Sequence, residues 1–456
     1  MKKRKIFLII PLLVVFLLVV FFGFLYLFTP RDINSIDLKD LDNKEFKLTE
    51  KDYREDFNFA YDTLKTYYPY FKINEEIYGI NWLANKKIYT RYVSRSENDE
   101  DFFNRMNDVL ADLHNGHTHL VDRDFGFYSY LSYYSMPRAD WRNDIANMYE
   151  KDKVRRRYKI DNKTVKAYIK NHYGLNENTS LLENYLLARK NFAKNASFFE
   201  KSQENTDDNL EVEKIIDQKL AYIKIKKMLS PEQMGSDELV LDTFLQEIKD
   251  YPNLVIDIRG NGGGDSRYWQ EFLFPKIIGK SYKTYNYSFL KKGDLNNKVI
   301  LQEAYHANVK KFLDKSTFPK KIKKILKSFD YYNDEELIID PKKDSINYKG
   351  NIYLLVDHDV YSSAEMLASF CKETKLAKLV GSRTAGDGIG SDPMQIDLPN
   401  TGFVLRFSKN LGLTASGSIN ELDQTSPDIK ADTSDFEKNL IDENIIKAVI
   451  KDAKIN

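Results

Sequence analysis

The longest uncharged apolar run in the chain extends from Ile6 to Phe28 and follows a basic cluster at residues 2–5. At about 1.5 Å of rise per residue, a helix over this run spans the roughly 30 Å of hydrocarbon in a bilayer. The basic cluster favours a cytoplasmic N-terminus, which places the chain after Thr29 outside. A cleaved signal peptide is the alternative, but its apolar stretch is usually about 7–15 residues long. The pattern predicts a cytoplasmic tail at 1–5 and a transmembrane signal anchor at 6–28.

The next part of the chain is polar and acidic, and we interpret residues 29–48 as a tether. Apolar positions then recur at helical spacing, which predicts an N-terminal helical region at 49–120. Aromatic residues and the basic run Arg155–Arg157 characterise residues 121–210, which we interpret as an insertion or lid. The basic run is typical of a solvated helix face, and contact with an anionic membrane surface is the alternative.

After residue 210 short apolar strands alternate with amphipathic helices, which is typical of an α/β fold with a buried, largely parallel sheet. The predicted strands are Ala221–Ile225, Leu254–Asp257, Ile352–Val356 and Leu376–Val380, and a helix is predicted from Ser363 to Thr374. This core spans 211–436 and contains a Lys-rich insertion at 281–349, which we predict to be mainly helical. A hairpin follows at 394–408, and a C-terminal helix is expected at 437–456.

Composition limits the classes of function. Hydrophobic residues make up 42% of the chain and charged residues 30%, which is enough for a large core. The net charge is +1, so no overall field favours nucleic acid, and no nucleic-acid partner is expected. Cys371 is the single cysteine, which excludes an internal disulfide framework and a multi-cysteine metal site.

A glycine-rich segment, D-I-R-G-N-G-G-G at 257–264, directly follows a predicted strand. Glycines allow backbone N–H groups to point at a ligand without obstruction by Cβ atoms, which predicts an anion or oxyanion nest. A phosphate loop is the alternative, but the spacing is not that of G-x-G-x-x-G. A simple tight turn also fits this segment alone.

A serine pair, Ser362 and Ser363, joins a predicted strand to a predicted helix. A serine at such a turn exposes its Oγ, and the helix N-terminus directs N–H groups at an oxyanion formed there. The alternative is structural, with Ser362 as a helix N-cap and Glu365 completing a capping box.

Three of the six histidines lie in the segment L-H-N-G-H-T-H at 113–119. A histidine can take the proton of a serine and return it to a leaving amine near neutral pH. Surface histidines in a turn are one alternative. A metal site is another, because His117 and His119 share a face if the segment is a strand.

The fourth segment, N-E-L-D-Q-T-S-P-D at 420–428, is an acidic loop. An acid in it could orient a histidine, as the third member of a catalytic triad does. Taken alone, the segment is typical of a solvated loop.

In this order, the four segments resemble the tail-specific (C-terminal processing) peptidase family, most closely the branch that includes the tricorn protease core. The matching motifs are D-[LI]-R-x-N-x-G-G, [ST]-x-S-S/A-A-E, V-G-x-x-T-x-G at 380–386 and acid-x5-P-D. The resemblance implies a ClpP/crotonase-like peptidase core that needs no cofactor or metal and acts on a peptide or protein substrate. The family often carries a PDZ domain with a carboxylate-binding loop, and residues 121–210 contain no such motif.

One departure from the family pattern determines the expected mechanism. In the Ser-Lys branch a lysine follows the T-x-G element, whereas this chain has Asp387 there. The tricorn-like branch uses an upstream histidine instead, and His117 matches it. By resemblance, Ser362 is the nucleophile, His117 the base and Glu421 the orienting acid.

The resemblance also implies an oxyanion hole formed by Gly263 and the N–H of Ser363. Asp423 and Asp387 are possible accessory residues, since Asp423 lies two positions after Glu421 and could replace it. The expected function is that of a membrane-anchored extracytoplasmic serine peptidase. The alternatives are a catalytically silent peptide-binding or scaffold protein on the same fold and, third, a metallohydrolase. The L-P-N-T-G sequence at 398–402 matches a sortase signal, but no apolar span follows it, so we predict a hairpin turn.

Overall fold

The computed structural model describes residues 20–41, 46–173, 209–230, 234–434 and 439–455. The helices are, in chain order, α1 (Glu50–Tyr67), α2 (Phe71–Tyr78), α3 (Lys86–Ser94), α4 (Asp99–Ala111), α5 (Arg123–Tyr134), α6 (Arg142–Tyr149), α7 (Asp152–Tyr158), α8 (Asn162–Tyr173), α9 (Gly235–Ile248), α10 (Phe274–Ile277), α11 (Asn297–Gln302), α12 (Val309–Lys315), α13 (Lys320–Leu326), α14 (Ser363–Thr374), α15 (Asn420–Asp423) and α16 (Asn444–Asp452). The strands are β1 (His119–Leu120), β2 (Leu210–Ile216), β3 (Leu220–Ile225), β4 (Asn253–Asp257), β5 (Tyr282–Leu290), β6 (His306–Ala307), β7 (Tyr331–Ile339), β8 (Asn351–Val356), β9 (Lys378–Gly381), β10 (Met394–Asp397), β11 (Val404–Phe407), β12 (Asn410–Leu413) and β13 (Ile429–Lys430).

The predicted membrane anchor lies mostly outside the described residues, which begin at residue 20. Residues 20–28 are helical and exposed. In the part of the chain that the structure describes, no helix has both the length and the apolar character needed to cross a bilayer. The anchor at 6–28 therefore stays a prediction.

The chain divides into two compact units. Unit 1 contains the described residues up to Ile169 together with Lys292–Tyr305 and Pro393–Lys409. Unit 2 contains the described residues of Lys170–Lys291, His306–Asp392 and Asn410–Asn456. This division differs from the predicted boundaries at residues 120, 210 and 436, because two late segments pack with residues much earlier in the sequence.

In unit 1, the predicted hairpin is confirmed. Strands β10 and β11 pair antiparallel, and β1 adds to the other edge of β11. The buried carboxylate of Asp56, on α1, fixes the turn of the hairpin. It accepts the N–H of Asn400 at 2.8 Å and both the N–H and the hydroxyl of Thr401, at 2.8 and 2.6 Å. The L-P-N-T-G sequence is thus a hairpin turn anchored to a helix.

The predicted insertion or lid at 121–210 is described only in part. Its residues 123–173 contain α5 to α8, and residues 174–208 lie outside the described chain. The prediction that no PDZ domain is present, and the role of a lid, therefore stay predictions.

The core of unit 2 is a six-stranded sheet in the order β13-β9-β8-β4-β3-β2. All neighbouring pairs are parallel except β2 with β3. Alternate residues of β4 enter different hydrophobic clusters: Leu254 and Ile256 pack with α9 and α14, whereas Val255 packs with α16. The sheet is therefore covered by helices on both faces, which confirms the predicted α/β class.

The Lys-rich insertion at 281–349 is not mainly helical, so this prediction was wrong. Strands β5 and β7 pair antiparallel from Tyr282 opposite Ile339 to Leu290 opposite Tyr331. They form a four-stranded sheet in the order β12-β5-β7-β6, and the helices α11 to α13 in this part of the chain have at most seven residues. The physical reason is the alternation of polar and aromatic or β-branched residues in β5, which suits a strand, whereas the density of lysines favoured helix.

Candidate active site

Ser362 lies directly before α14 with φ 56° and ψ −123°. A residue with a side chain rarely adopts such a backbone conformation, which costs on the order of 1–3 kcal/mol. The side chain makes no capping hydrogen bond to the helix. The capping-box interpretation is therefore wrong, because an N-cap side chain reaches the helix from an extended backbone. A strained serine between a strand and a helix is instead the geometry that exposes a nucleophilic Oγ.

The glycine-rich loop after β4 packs directly against this serine. A Cβ atom on Gly263, which has φ +101°, would lie 2.8 Å from the Cβ of Ser362 and 2.9 Å from the backbone nitrogen of Ser363. The fully buried Asn261 fixes the loop, since its Nδ2 donates to the carbonyl of Ile225 at 3.0 Å. Its own carbonyl accepts the N–H of Tyr361 at 3.2 Å. Only glycine fits at position 263 without displacing the serine.

The two predicted oxyanion donors have different partners. The N–H of Gly263 donates to Oδ1 of Asn261 at 2.9 Å. The N–H of Ser363, the first residue of α14, makes no hydrogen bond within the described chain. Ser363 is thus available to an oxyanion, whereas Gly263 must exchange its bond with Asn261 to contribute.

Asp387, at the position of the lysine in the Ser-Lys branch, lies in a turn at 386–388 beside the serine. Its Oδ2 accepts the hydroxyl of Tyr361 at 3.1 Å. The carbonyl of Gly386 accepts the N–H of Ser362 at 3.3 Å, and a Cβ on Gly388 would lie 2.7 Å from the carbonyl oxygen of Ser362. The turn therefore holds the backbone of Ser362 and offers a carboxylate instead of an amine.

The acidic loop also approaches this turn. A Cβ on Gly386 would lie 3.1 Å from the Cα of Glu421. Glu421 therefore packs against Gly386, the residue whose carbonyl accepts the N–H of Ser362. Asp423 performs a local role: its Oδ2 accepts the hydroxyl of Ser418 at 2.6 Å and the N–H of Ile419 at 3.1 Å. These contacts favour Glu421 over Asp423 as the acid of the site.

Glu365 is a component of the site whose structural role sequence reasoning missed. It is fully buried on the first turn of α14, and its Oε1 accepts the amide of Asn420 and the hydroxyl of Thr425, both at 2.7 Å. Asn420 in turn accepts the N–H of Gly388 at 2.7 Å. Burial raises the pKa of Glu365 to about 7, and hydrogen bonds from neighbouring side chains only partly offset this effect. One carboxyl thus joins the helix of the serine, the turn at 386–388 and the acidic loop.

A buried ion network stands behind the glycine-rich loop. The guanidinium of Arg259 contacts the carboxylate of Asp257 at 2.6 Å and that of Glu443 at 2.7 Å, and all three side chains are at most 3% exposed. Tyr222 donates its hydroxyl to the same Asp257 at 2.7 Å. The network ties β4 and the start of the loop to the residue that precedes α16.

His117, the predicted base, lies in unit 1, whereas the other predicted site residues lie in unit 2. Its turn is fixed within unit 1, because the hydroxyl of Thr118 donates to Oδ1 of Asn115 at 2.7 Å. The hydroxyl of Ser408, just after β11, donates to the same oxygen at 3.2 Å. His117 itself is half-buried, and its pairing with Ser362 stays a prediction.

The metal alternative involved His117 and His119. A ring nitrogen of His119, Nδ1, lies 3.0 Å from the carbonyl of Leu120, and burial lowers the pKa of this histidine. Among the described residues, no group of three or more His, Cys, Asp or Glu side chains is arranged to hold a metal ion.

Comparison with known proteins agrees with this arrangement of segments. Residues 219–431 match the family model described as peptidase family S41. No curated protein gives a significant match to the sequence. The fold is similar to that of a putative peptidase from Parabacteroides merdae, with a TM-score of 0.50 and 16% identity over 89% of this chain and 97% of that one.

It is also similar to mature CPAF complexed with lactacystin, with a TM-score of 0.50 and 13% identity over 84% of this chain and 94% of that one. At these identities the two structures establish the fold alone. The matched segment begins at Lys219, just before β3, and ends at Ala431, just after β13. It therefore contains the glycine-rich loop, Ser362 and the acidic loop. Residues 219–431 are thus the part of this chain that is similar to peptidase family S41.

Proposed function

We propose that the chain is a membrane-anchored extracytoplasmic serine peptidase that hydrolyses peptide bonds through an acyl-enzyme on Ser362. The observation that carries the proposal is the strained backbone of Ser362 against Gly263, since the strain has no capping role to explain it. The match of residues 219–431 to a peptidase family model supports the same chemistry. The anchor is proposed from the apolar run at 6–28.

In the proposed reaction, His117 takes the proton of the Ser362 hydroxyl as Oγ bonds to the carbonyl carbon of the substrate. The N–H of Ser363, joined by that of Gly263, stabilises the oxyanion. The protonated His117 then gives its proton to the leaving amine as the peptide C–N bond breaks, and Glu421 stabilises the charged imidazole. Water, deprotonated by His117, cleaves the resulting ester and restores Ser362.

Labelling with a fluorophosphonate tests the nucleophile directly. The full-length protein should be labelled at Ser362, and Ser362→Ala should abolish the labelling, whereas Ser363→Ala should keep most of it because only the backbone of Ser363 is used. Labelling that survives Ser362→Ala would refute the assignment. His117→Ala should slow labelling by about a hundredfold or more, and an unchanged rate would give the role of base to another residue.

A second candidate is a catalytically silent peptide-binding protein on the same fold. Two observations favour it: the carboxylate of Asp387 stands where another branch has its basic amine, and the N–H of Gly263 already donates to Asn261. Peptide binding by a protein that neither reacts with the probe nor cleaves any peptide in a mixed library would select this candidate.

Fractionation tests the anchor. The full-length protein should sediment with membranes and resist extraction by high salt, whereas a chain lacking residues 1–28 should be released. External protease should digest the folded part of the full-length chain in intact cells. Protection from such digestion would contradict the proposed orientation.

A further inference from the structure

A cavity of about 680 Å³ opens within unit 2, on the four-stranded sheet and the helices that follow β6. We refer to it as the aromatic–lysine pocket, and its principal walls are Tyr287, Lys311, Phe312, Lys315, Phe318 and Tyr332. None of these residues belongs to the site around Ser362. The pocket therefore needs an explanation of its own.

The aromatic side chains form a packed wall. The rings of Phe312 and Tyr332 stack with centroids 4.2 Å apart, and Tyr287 meets Phe318 edge to face at 5.0 Å. Phe318 is buried, while Phe312, Tyr287 and Tyr332 are half-buried and keep part of their surface towards the cavity. A wall of this kind accepts an aromatic or large aliphatic side chain.

The lysines give the pocket its charge. Lys311 and Lys315 are exposed, and neither side chain has an ion pair or hydrogen bond to another described residue. They belong to a segment, residues 309–327, with eight lysines and one aspartate, although the whole chain carries only +1. An acid is present at the edge of the pocket, where Asp334 lies 3.9 Å from Nε2 of His306. The excess of positive charge nevertheless favours an anionic ligand.

The pocket is connected to the nucleophile by continuous backbone contacts. The turn that packs on the carbonyl of Ser362 continues from Gly388 to Ile389. The carbonyl of Ile389 packs closely on Gly412, since a Cβ on Gly412 would clash with its oxygen. Strand β12, which contains Gly412, then pairs with β5, so that Leu413 lies opposite Tyr287 of the pocket wall. A ligand in the pocket thus contacts the same sheet that supports the turn beside Ser362.

From these features we propose that the aromatic–lysine pocket binds a peptide segment that carries a carboxylate next to an aromatic or large aliphatic side chain. The inference rests on the proposed function, because it assigns to the peptidase a preference for acidic substrates at a site separate from Ser362. The carboxylate belongs either to an Asp or Glu side chain or to a chain terminus, since both offer the same group to Lys311 and Lys315. An anionic lipid surface fits less well, because the rings line a concavity and do not project.

Binding to the full-length Ser362→Ala protein tests the proposal without cleavage, by fluorescence anisotropy with four labelled peptides. The first has an internal Asp-Phe pair and an amidated end, and the second has no acid but ends in Phe with a free carboxylate. The third is the second peptide amidated, and the fourth is the first with Phe replaced by Ser. We expect the first, the second or both to bind, and the third and fourth to bind at least about tenfold more weakly. Which of the first two binds identifies the source of the carboxylate.

Matched charge changes separate the pocket from the general basic field. Lys311→Gln with Lys315→Gln should weaken binding about tenfold, whereas Lys310→Gln with Lys320→Gln, which removes two exposed lysines outside the pocket wall, should change it less than about threefold. Equal weakening by both pairs would overturn the proposal, as would failure of both carboxylate peptides to bind. Binding of anionic phospholipid vesicles that depends on Lys311 and Lys315, with no peptide binding, would also overturn it.

Failure of this inference and failure of the proposed function are distinguishable. Probe labelling of Ser362 without peptide binding refutes the pocket alone. Peptide binding that depends on Lys311 and Lys315 without probe labelling refutes the peptidase and leaves the pocket in place.

Discussion

Replacing the buried Glu365 with glutamine should change how the stability of the protein depends on pH. Glutamine keeps the size of the side chain and the Oε1 acceptor used by Asn420 and Thr425, but it carries no ionisable proton. Folding raises the pKa of Glu365 from 4.5 to about 7 because burial disfavours the charged carboxylate. Below pH 4.5 both the folded and the unfolded chain hold the proton. Between pH 4.5 and 7 only the folded chain keeps it, so stability falls as pH rises, and above pH 7 the loss is complete.

The size of the effect follows from the displacement of the pKa. At about 1.4 kcal/mol per pKa unit, ionisation of Glu365 removes on the order of 3 kcal/mol of folding free energy by pH 8. Complete burial means that solvent screening does not reduce this figure. The glutamine variant does not ionise, so its stability relative to the native protein should increase by about 3 kcal/mol from pH 4.5 to pH 8.

Thermal unfolding of the two proteins at pH 5, 6, 7 and 8 measures this difference. A change of about 3 kcal/mol corresponds to a shift of roughly 6–12 °C for a unit of this size. Glu271→Gln is the matched control for loss of a glutamate charge, because Glu271 is exposed in the same unit. A difference between Glu365→Gln and the native protein that stays constant from pH 5 to pH 8 would refute the reasoning.

Three further predictions concern the site. Gly263→Ala should abolish probe labelling, because the added Cβ would clash with Ser362 and because Gly263 has a positive φ that other residues rarely adopt. Gly262→Ala should keep labelling, since the space around Gly262 is open. Glu421→Gln should slow labelling by about a hundredfold. Asp423→Asn should lower the free energy of unfolding by about 1 kcal/mol and leave the labelling rate nearly unchanged. A slower rate for Asp423→Asn than for Glu421→Gln would assign the role of the acid to Asp423. Glu443→Ala should lower the free energy of unfolding by about 3 kcal/mol in urea titrations, and a loss below about 1 kcal/mol would show that Asp257 alone satisfies the arginine.

Much of unit 2 is predictable because its signals are local. The strands around 221–225, 254–257 and 352–356 and the helix at 363–374 appear in the structure within one or two residues of their predicted bounds. Each is a short apolar run or an amphipathic helix between turn residues, and burial on both faces of a parallel sheet leaves few other arrangements. The position of Ser362 directly before the helix follows from the same pattern, and the structure shows this serine half-buried.

What sequence reasoning missed depends on contacts between distant residues. The hairpin at 394–407 groups with unit 1 because Asp56 binds its turn, 344 or 345 positions away, and no local pattern indicates this. Glu365 matches a capping box in sequence, yet the strained backbone of Ser362 prevents capping and the carboxyl turns instead to Asn420. In the Lys-rich insertion at 281–349, the density of lysines suggested a helix, whereas the structure contains the antiparallel pair of β5 and β7.

The ion network behind the glycine-rich loop joins side chains that are far apart in the sequence. Arg259 is synthesised 184 positions before Glu443, yet both side chains are sealed from water in the same cluster. A contact of this sequence separation can form only after Glu443 has been synthesised, and non-local contacts of this kind slow folding. Until Glu443 docks, the guanidinium lacks one of its two carboxylates and the loop beside Ser362 rests on an incomplete support. A chain in which Glu443 has not docked therefore lacks part of the support of the loop that carries Gly263, the residue packed against Ser362.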